Sequence, residues 1–248
     1  MTSRTLGGRL ALLSVVALVG ASLPAVAEPR AVLELFTSQG CNSCPPADKL
    51  VGELSKDPTL ITLSLAIDYW DYLGWKDTLA LAGHGNRQRA YARTRGDRDV
   101  FTPQMIVNGA AQARGSDKAD IERAIGQTRK NASVLEVPLT LSVADGKLTV
   151  NAPAGKTGNE RGEVWLCPVA RAVSVDIGRG ENKGRSITYH NVVRRWIKLG
   201  DWQGTAATWS VPISDFKTNG IDQVAVVVQA GAATAPGPMF AAAMTPLP

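Results

Sequence analysis

Two cysteines, Cys41 and Cys44, stand three positions apart with Asn42 and Ser43 between them. Thiols at this spacing can close a small disulfide ring, which reopens by thiolate attack. The apolar run 31–36 precedes the pair and a helical pattern follows it, so the pair lies where a strand hands over to a helix. Free N–H groups at a helix N-terminus favour a thiolate there. The expected chemistry is exchange. Cys41 attacks a partner's sulfur, and Cys44 resolves the mixed disulfide. The partners are then protein or small-molecule thiols and disulfides, and no bound cofactor is expected.

Thr102-Pro103 stands just before the strand-like run Gln104-Met105-Ile106-Val107. The order of elements leads us to expect a cis bond there. That geometry sets the backbone of residue 102 beside the dithiol, where Thr102 can hydrogen-bond an extended substrate alongside Cys41. After the second strand come Asp68, Tyr69, Trp70, Asp71 and Trp75. Sites in open α/β sheets gather at the carboxyl ends of strands. Asp68 or Asp71 can therefore act on the thiols or accept a proton. Aromatic packing, with one carboxylate capping a helix, explains the same residues equally well.

Metal chemistry is the main rival, because two thiolates can begin a zinc or copper site. The two histidines are His84, between glycines, and His190, far along the chain, so no metal site is expected. Cys167 lies in an apolar run and reads as a buried structural thiol. Arg87, Arg89, Arg93, Arg95 and Arg98 read as a solvated basic helix face. The glycine-rich loop 178–185 lacks a phosphate-cradle ending and reads as a long hairpin connection. No Ser-His-Asp order or dinucleotide fingerprint is present.

The elements that must position the dithiol come next. Residues 31–36 and 60–67 read as buried strands, and the segment from Ala47 to Leu54 reads as helix. A basic helix is expected within 78–95, interrupted at Gly83-His84-Gly85. Asn108-Gly109 is a type I′ turn signal joining 104–107 to an antiparallel return at 110–114. Ser116 is the expected cap of a last helix. After about Ser133 the pattern changes to strand-like runs at 137–143, 148–151, 162–169, 172–177, 186–198, 205–213 and 223–230. This suggests a β-sandwich. The expected division is a leader at 1–27, an α/β domain at 28–132 and an all-β sandwich-like domain at 133–248.

The chain has 248 residues, 44% hydrophobic and 20% charged, which excludes a largely disordered protein. Its net charge of +5 is too mild to indicate nucleic-acid binding. Arg4 and Arg9, the apolar run 10–23 and Ala25-Val26-Ala27 read as a cleavable export signal, the alternative being a single uncleaved anchor. Removing it lowers the charge to +3 and leaves no expected membrane anchor. The expected location is periplasmic or secreted, where a close cysteine pair is a disulfide unless something reduces it.

Residues 31–130 resemble the thioredoxin superfamily: CxxC after the first strand, Thr102-Pro103 before a hairpin with Asn108-Gly109 at its turn, then a helix. More narrowly, nearly the whole mature chain resembles a bacterial exported thioredoxin-like family known only as a domain of unknown function. Glu34-Leu35-Phe36-Thr37-Ser38-Gln39-Gly40-Cys41 and Cys44-Pro45-Pro46-Ala47-Asp48 carry this resemblance. So do Asp68-Tyr69-Trp70-Asp71, Gly74-Trp75-Lys76-Asp77, Thr102-Pro103-Gln104-Met105 and Tyr189-His190-Asn191-Val192-Val193-Arg194. The resemblance implies a thioredoxin-like fold, thiol–disulfide exchange and a site-lining role for Asp68 and Trp70. Three features depart from thioredoxin: Gly40 replaces a tryptophan, the spacer Asn42-Ser43 lacks the glycine-proline pair, and Pro45-Pro46 follows Cys44. Prolines suit a first helical turn, so the helix can begin at Pro45 and act more weakly on Cys41. A different class of function also fits: a non-catalytic binding module with a static Cys41–Cys44 bond.

Overall fold

The computed structural model describes residues 29–97, 99–157 and 160–248. The expected leader at 1–27 and Arg98 of the basic face lie outside them. The first elements are β1 (Ala31–Thr37), α1 (Pro45–Leu54), β2 (Leu60–Ala66) and α2 (Ala82–Arg95). They are followed by β3 (Gln104–Val107), β4 (Ala111–Arg114) and α3 (Lys118–Thr128). The remainder is β5 (Thr140–Ala144), β6 (Lys147–Ala152), β7 (Gly162–Asp176), β8 (Ser186–Val193), β9 (Ile197–Trp202), β10 (Ala207–Pro212), β11 (Gln223–Ala232) and β12 (Ala235–Pro246).

β1 is buried on both faces, and its period-two side chains divide between two layers. Ala31, Leu33 and Leu35 pack with Val51 of α1 and Ile121 and Ile125 of α3. Val32 and Phe36 pack on the other face with Tyr91 of α2. Each fully buried leucine or phenylalanine side chain contributes roughly 1.5–3 kcal/mol relative to exposure. Asn108 and Gly109 take the positive φ values of the expected turn, 52° and 69°.

The sequence pattern separates the chain near residue 133, but the strand pairing does not. One nine-stranded sheet runs β12-β11-β7-β8-β2-β1-β3-β4, with β9 also paired to β7. Cys167, Val169, Ala225, Val227 and Met239 continue the hydrophobic layer begun by Val32 and Phe36. The far end adds a second, smaller layer. There β5, β6 and β10 form a second sheet. Leu148 and Val150 from that sheet pack with Val164, Leu166, Val224, Val226 and Phe240.

β2 and β8 join the two segments, running parallel with Ser64 opposite Val192. Asn191 has φ of 50°, which interrupts the backbone ladder. Side chains fill the interruption: Ser64 Oγ donates to the His190 carbonyl at 2.7 Å, and Asn191 Nδ2 donates to Thr62 Oγ1 at 2.9 Å. Asparagine tolerates this backbone region far better than a β-branched residue.

A buried polar network crosses the same sheet. Glu34 on β1 is fully buried, and Arg87 Nε donates to it at 2.7 Å. The Tyr91 hydroxyl donates to the other carboxylate oxygen at 2.6 Å. Arg87 Nη2 also reaches Gln229 Oε1 at 2.7 Å, and Gln229 Nε2 donates to the Gly237 carbonyl at 2.8 Å. Arg87 therefore does not lie on the solvated face expected for it. Its guanidinium is held between Tyr91 and Trp196, 4.9 and 4.1 Å from the ring centres.

Other expectations shift for local reasons. Gly83-His84-Gly85 does not interrupt α2 but lies in its opening turns, where buried His84 places Nδ1 2.9 Å from the Ala66 carbonyl. Asp117, rather than Ser116, caps α3 by accepting from the Asp120 N–H. The runs 162–169 and 172–177 fuse into β7, and 186–198 divides into β8 and β9. β12 has no counterpart among the expected strands. It lies at the sheet's edge, where Pro236, Pro238 and Pro246 are tolerated because an edge needs fewer ladder donors.

Asn191→Val lowers unfolding free energy by about 2–3 kcal/mol and Asn191→Gly by less, read from urea titrations. Glu34→Gln strands the Arg87 charge and costs about 3–5 kcal/mol by the same measurement. The double variant combining Glu34→Leu with Arg87→Met costs less than those two single changes added together.

Candidate functional site

β1 delivers Ser38, Gln39 and Gly40 into the loop before Cys41. The Cys41 N–H donates to the Ser38 carbonyl at 3.1 Å, which closes a turn. Cys41 and Cys44 form a disulfide with Cα atoms 5.4 Å apart. Cys44 is the cap of α1, and Pro45 and Pro46 occupy its first two positions. Both prolines lack N–H groups, so the helix start offers fewer donors to a thiolate than an ordinary one.

Of the expected site residues, Cys41, Cys44, Thr102, Pro103 and Trp70 come together, with Gly40 and Ser43 between them. Ser43 Oγ is 3.5 Å from Cys41 Sγ and donates to the Thr102 carbonyl at 3.4 Å. Trp70 Nε1 donates to Thr102 Oγ1 at 2.8 Å. Trp70 in turn packs on Gly40: a Cβ at that position would lie 3.1 Å from Trp70 Cβ and 3.2 Å from its carbonyl oxygen. Thus Gly40, Ser43, Thr102 and Trp70 form a circuit around Cys41. The Thr102-Pro103 bond is cis. Inside this circuit Cys41 is 2% exposed and Cys44 is fully buried, whereas Asn42 and Ser43 are exposed.

Asp68 goes elsewhere. Its Oδ1 faces Gly85 at the start of α2, 3.6 Å from where a Cβ would stand. Asp77 organises the cysteine loop instead, accepting from the Gln39 N–H at 2.7 Å and from the Leu79 N–H at 2.8 Å. The Gln39 side chain is held by Trp75 Nε1 at 2.7 Å and by Thr78. Asp71 supports this arrangement by accepting from the Asp77 N–H at 3.0 Å.

Two further residues bear on the site. Asn182, in the loop between β7 and β8, is buried, and its Nδ2 donates to the carbonyls of Gln39 and Cys41, each at 2.9 Å. That loop is the expected hairpin connection, but it also clamps the dithiol turn from the far half of the chain. Asp48 lies one helical turn beyond Cys44 and is buried, with Oδ1 accepting from Thr37 Oγ1 at 2.7 Å. Its Oδ2 has no partner among the described residues. Burial pushes its carboxyl up to about 8; the Thr37 bond opposes that rise and nearby Asp77 adds to it. Burial also raises the Asp77 carboxyl, against its backbone hydrogen bonds. A polar residue on the inner face of α1, at an i+4 spacing from Cys44, was the available sequence signal for Asp48.

Neither histidine joins the thiols. His84 is buried, which lowers its imidazole to about 4. The His190 ring rests on Gly52 of α1, where a Cβ would meet it at 2.6 Å. Among the described residues no group of three or more His, Cys, Asp or Glu side chains is placed to hold a metal. Cys167 is buried, and desolvation raises its thiol far above the ordinary range. No described helix is long and apolar enough to cross a membrane.

A mixed sheet presenting a buried CxxC disulfide at a strand–helix junction thus defines the class. The chain belongs to the family described as protein of unknown function (DUF1223), whose pattern matches residues 32–229. Its structure is similar to the X-ray crystal structure of protein AGR_C_4864 from Agrobacterium tumefaciens. That protein is 30% identical, with a TM-score of 0.78 over 88% of this chain and 94% of the other. A penta-heme cytochrome c552 from Thermochromatium tepidum aligns at 11% identity over 49% of this chain and 41% of its own. Its TM-score of 0.22 is too low to carry an argument. No curated protein compared matches the chain.

The Asp48 carboxyl sets a pH dependence. Folding raises its affinity for a proton, so the folded state holds a proton that the unfolded chain releases above about pH 4. Its stabilising contribution is complete below that point and is lost as pH rises towards about 8. Asp48 therefore lowers the unfolding free energy across this window by up to about 1.4 kcal/mol per pH unit, while His84, lowered to about 4, adds the opposite slope up to its ordinary range. Asp48→Asn should make the stability–pH slope more positive in urea titrations at several pH values.

Proposed function

We propose that the protein is a thioredoxin-like thiol–disulfide oxidoreductase acting in a periplasmic or extracellular space. The observation that carries this reading is the position of Cys41 just after β1, its Sγ 3.5 Å from Ser43 Oγ, which in turn reaches the Thr102 carbonyl before β3. In the reduced protein, the Cys41 thiolate attacks a partner disulfide, forms a mixed disulfide and releases one partner thiolate. The Cys44 thiolate then attacks Cys41 Sγ and expels the second partner thiolate. Two electrons pass to the partner, and the Cys41–Cys44 bond forms. The reverse sequence oxidises a partner dithiol, and the pair's potential against its compartment sets the direction.

Asp48 supports the reading because a carboxyl pushed up to about 8 can exchange a proton near neutral pH. It takes the proton-accepting role that the sequence offers to Asp68 or Asp71. The 2% exposure of Cys41 requires the Trp70–Thr102 cover to part before a partner's sulfur can reach it. Thr102 then exchanges its internal contacts for a partner's extended backbone, with Pro103 holding the segment and Trp70 at its side.

Burial of both sulfurs favours a second reading, in which the bond is a static brace within a binding module. The two readings differ in a direct test. Under moderate thiol reductant the oxidoreductase opens, Cys41 is alkylated before Cys44, and insulin reduction is lost in Cys41→Ser. A bond that stays closed, with activity unchanged in Cys41→Ser, leaves the static brace.

A further inference from the structure

A cavity of about 410 Å³ lies between α2 and the turn joining β11 to β12. Its size is that of a small-molecule site. Asn86, Arg87, Arg89 and Arg93 line it from the helix, and Trp165 and Trp196 line it from the sheet side. None of these residues belongs to the circuit around Cys41. We propose that this cavity binds a small organic anion with a flat, apolar body.

Charge is the first argument. Three arginines line one cavity, and no lining residue is acidic. Glu34 pairs with Arg87 from within the protein, but Arg89 and Arg93 make no ion pair among the described residues. Arg89 reaches Asn86 Oδ1 at 2.8 Å, and Asp68, facing it across Gly85, forms no ion pair with it. Like charges drawn together in a partly desolvated space repel, and an anion reverses the sign of that interaction.

The second argument is fixed geometry. Arg87 is 8% exposed and held by Glu34, Tyr91 and Gln229, so its guanidinium is placed before any ligand arrives. Its Nη1 makes no hydrogen bond among the described residues and remains available for an oxyanion. Arginine's planar fork suits carboxylates in particular. The walls supply the apolar half. Trp165 and Trp196 meet edge to face with ring centres 6.3 Å apart, and Trp196 Nε1 has no acceptor among the described residues. Aromatic walls beside fixed cations select a ring bearing an acidic group over a bare inorganic anion.

The test is calorimetric titration of the full mature chain with 2-naphthoate, beside the neutral 2-naphthalenemethanol and the ringless acetate. We expect saturable 2-naphthoate binding that weakens with added salt and binding of each control weaker by roughly tenfold or more. Arg89→Ala with Arg93→Ala should weaken 2-naphthoate by roughly tenfold or more while leaving the melting temperature in place, because both side chains are exposed. Trp165→Ala should also weaken 2-naphthoate without giving acetate an advantage. Absence of saturable binding, equal binding of the neutral analogue, or undiminished binding in the double arginine variant would overturn the proposal. None of these readouts depends on the state of Cys41, so a negative result leaves the thiol chemistry untouched.

Discussion

The ion pair between Glu34 and Arg87 is the contact on which the rest of the arrangement turns. A carboxylate on a central strand, fully out of water, is unfavourable unless a cation and further donors meet it. Arg87 and Tyr91 meet it from α2, and Gln229 extends the same bonds to β11 and the Gly237 carbonyl of β12. One buried charge thereby ties an early strand, the helix above it and the last two strands together. The close approach at Gly109 belongs to this arrangement: a Cβ there would lie 2.5 Å from the Gly237 oxygen and 2.7 Å from Gln229 Nε2. The ion pair thus has a specifying role, since hydrophobic burial alone does not distinguish one register of these elements from another.

The dithiol loop shows a similar economy of polar contacts. Asp77 holds the Gln39 backbone, Trp75 holds its side chain, and Asn182 holds two carbonyls on either side of Gly40. Trp70 packs closely on the same loop and leaves little room for a side chain at residue 40. Burial of Cys41 is therefore the sum of several side-chain placements around one turn.

The parts legible in the sequence were those encoded by neighbours. The apolar run ending at Phe36, the cysteine spacing, Pro45 at a helix start and Asn108-Gly109 at a turn each carry their reason within a few residues. The grouping of Cys41 with Thr102 and Trp70 was legible because strand order brings those segments to one end of the sheet. Other features depend on distant partners. Helical periodicity placed Arg87 on a basic face, and nothing within α2 indicates that Glu34, 53 positions earlier, draws it inward. Asn182 looks like an ordinary loop residue until its carbonyl acceptors, 141 and 143 positions away, are known. Strand β12 was hidden by alanine, proline and glycine, residues that belong in a strand only at an edge. The change of pattern near residue 133 is real, but it marks a change of composition rather than a break in the sheet.

Asn182 also bears on how such a chain can be inherited. A gene fragment ending after α3 would encode the cysteine motif and its helix, yet lack the side chain that closes the loop around Gln39 and Cys41. It would also bare the β2 edge that β8 occupies, inviting self-association through unpaired backbone. The front segment is consequently a poor candidate for shuffling between unrelated polypeptides. Duplication or recombination must carry both segments together to preserve the thiol turn.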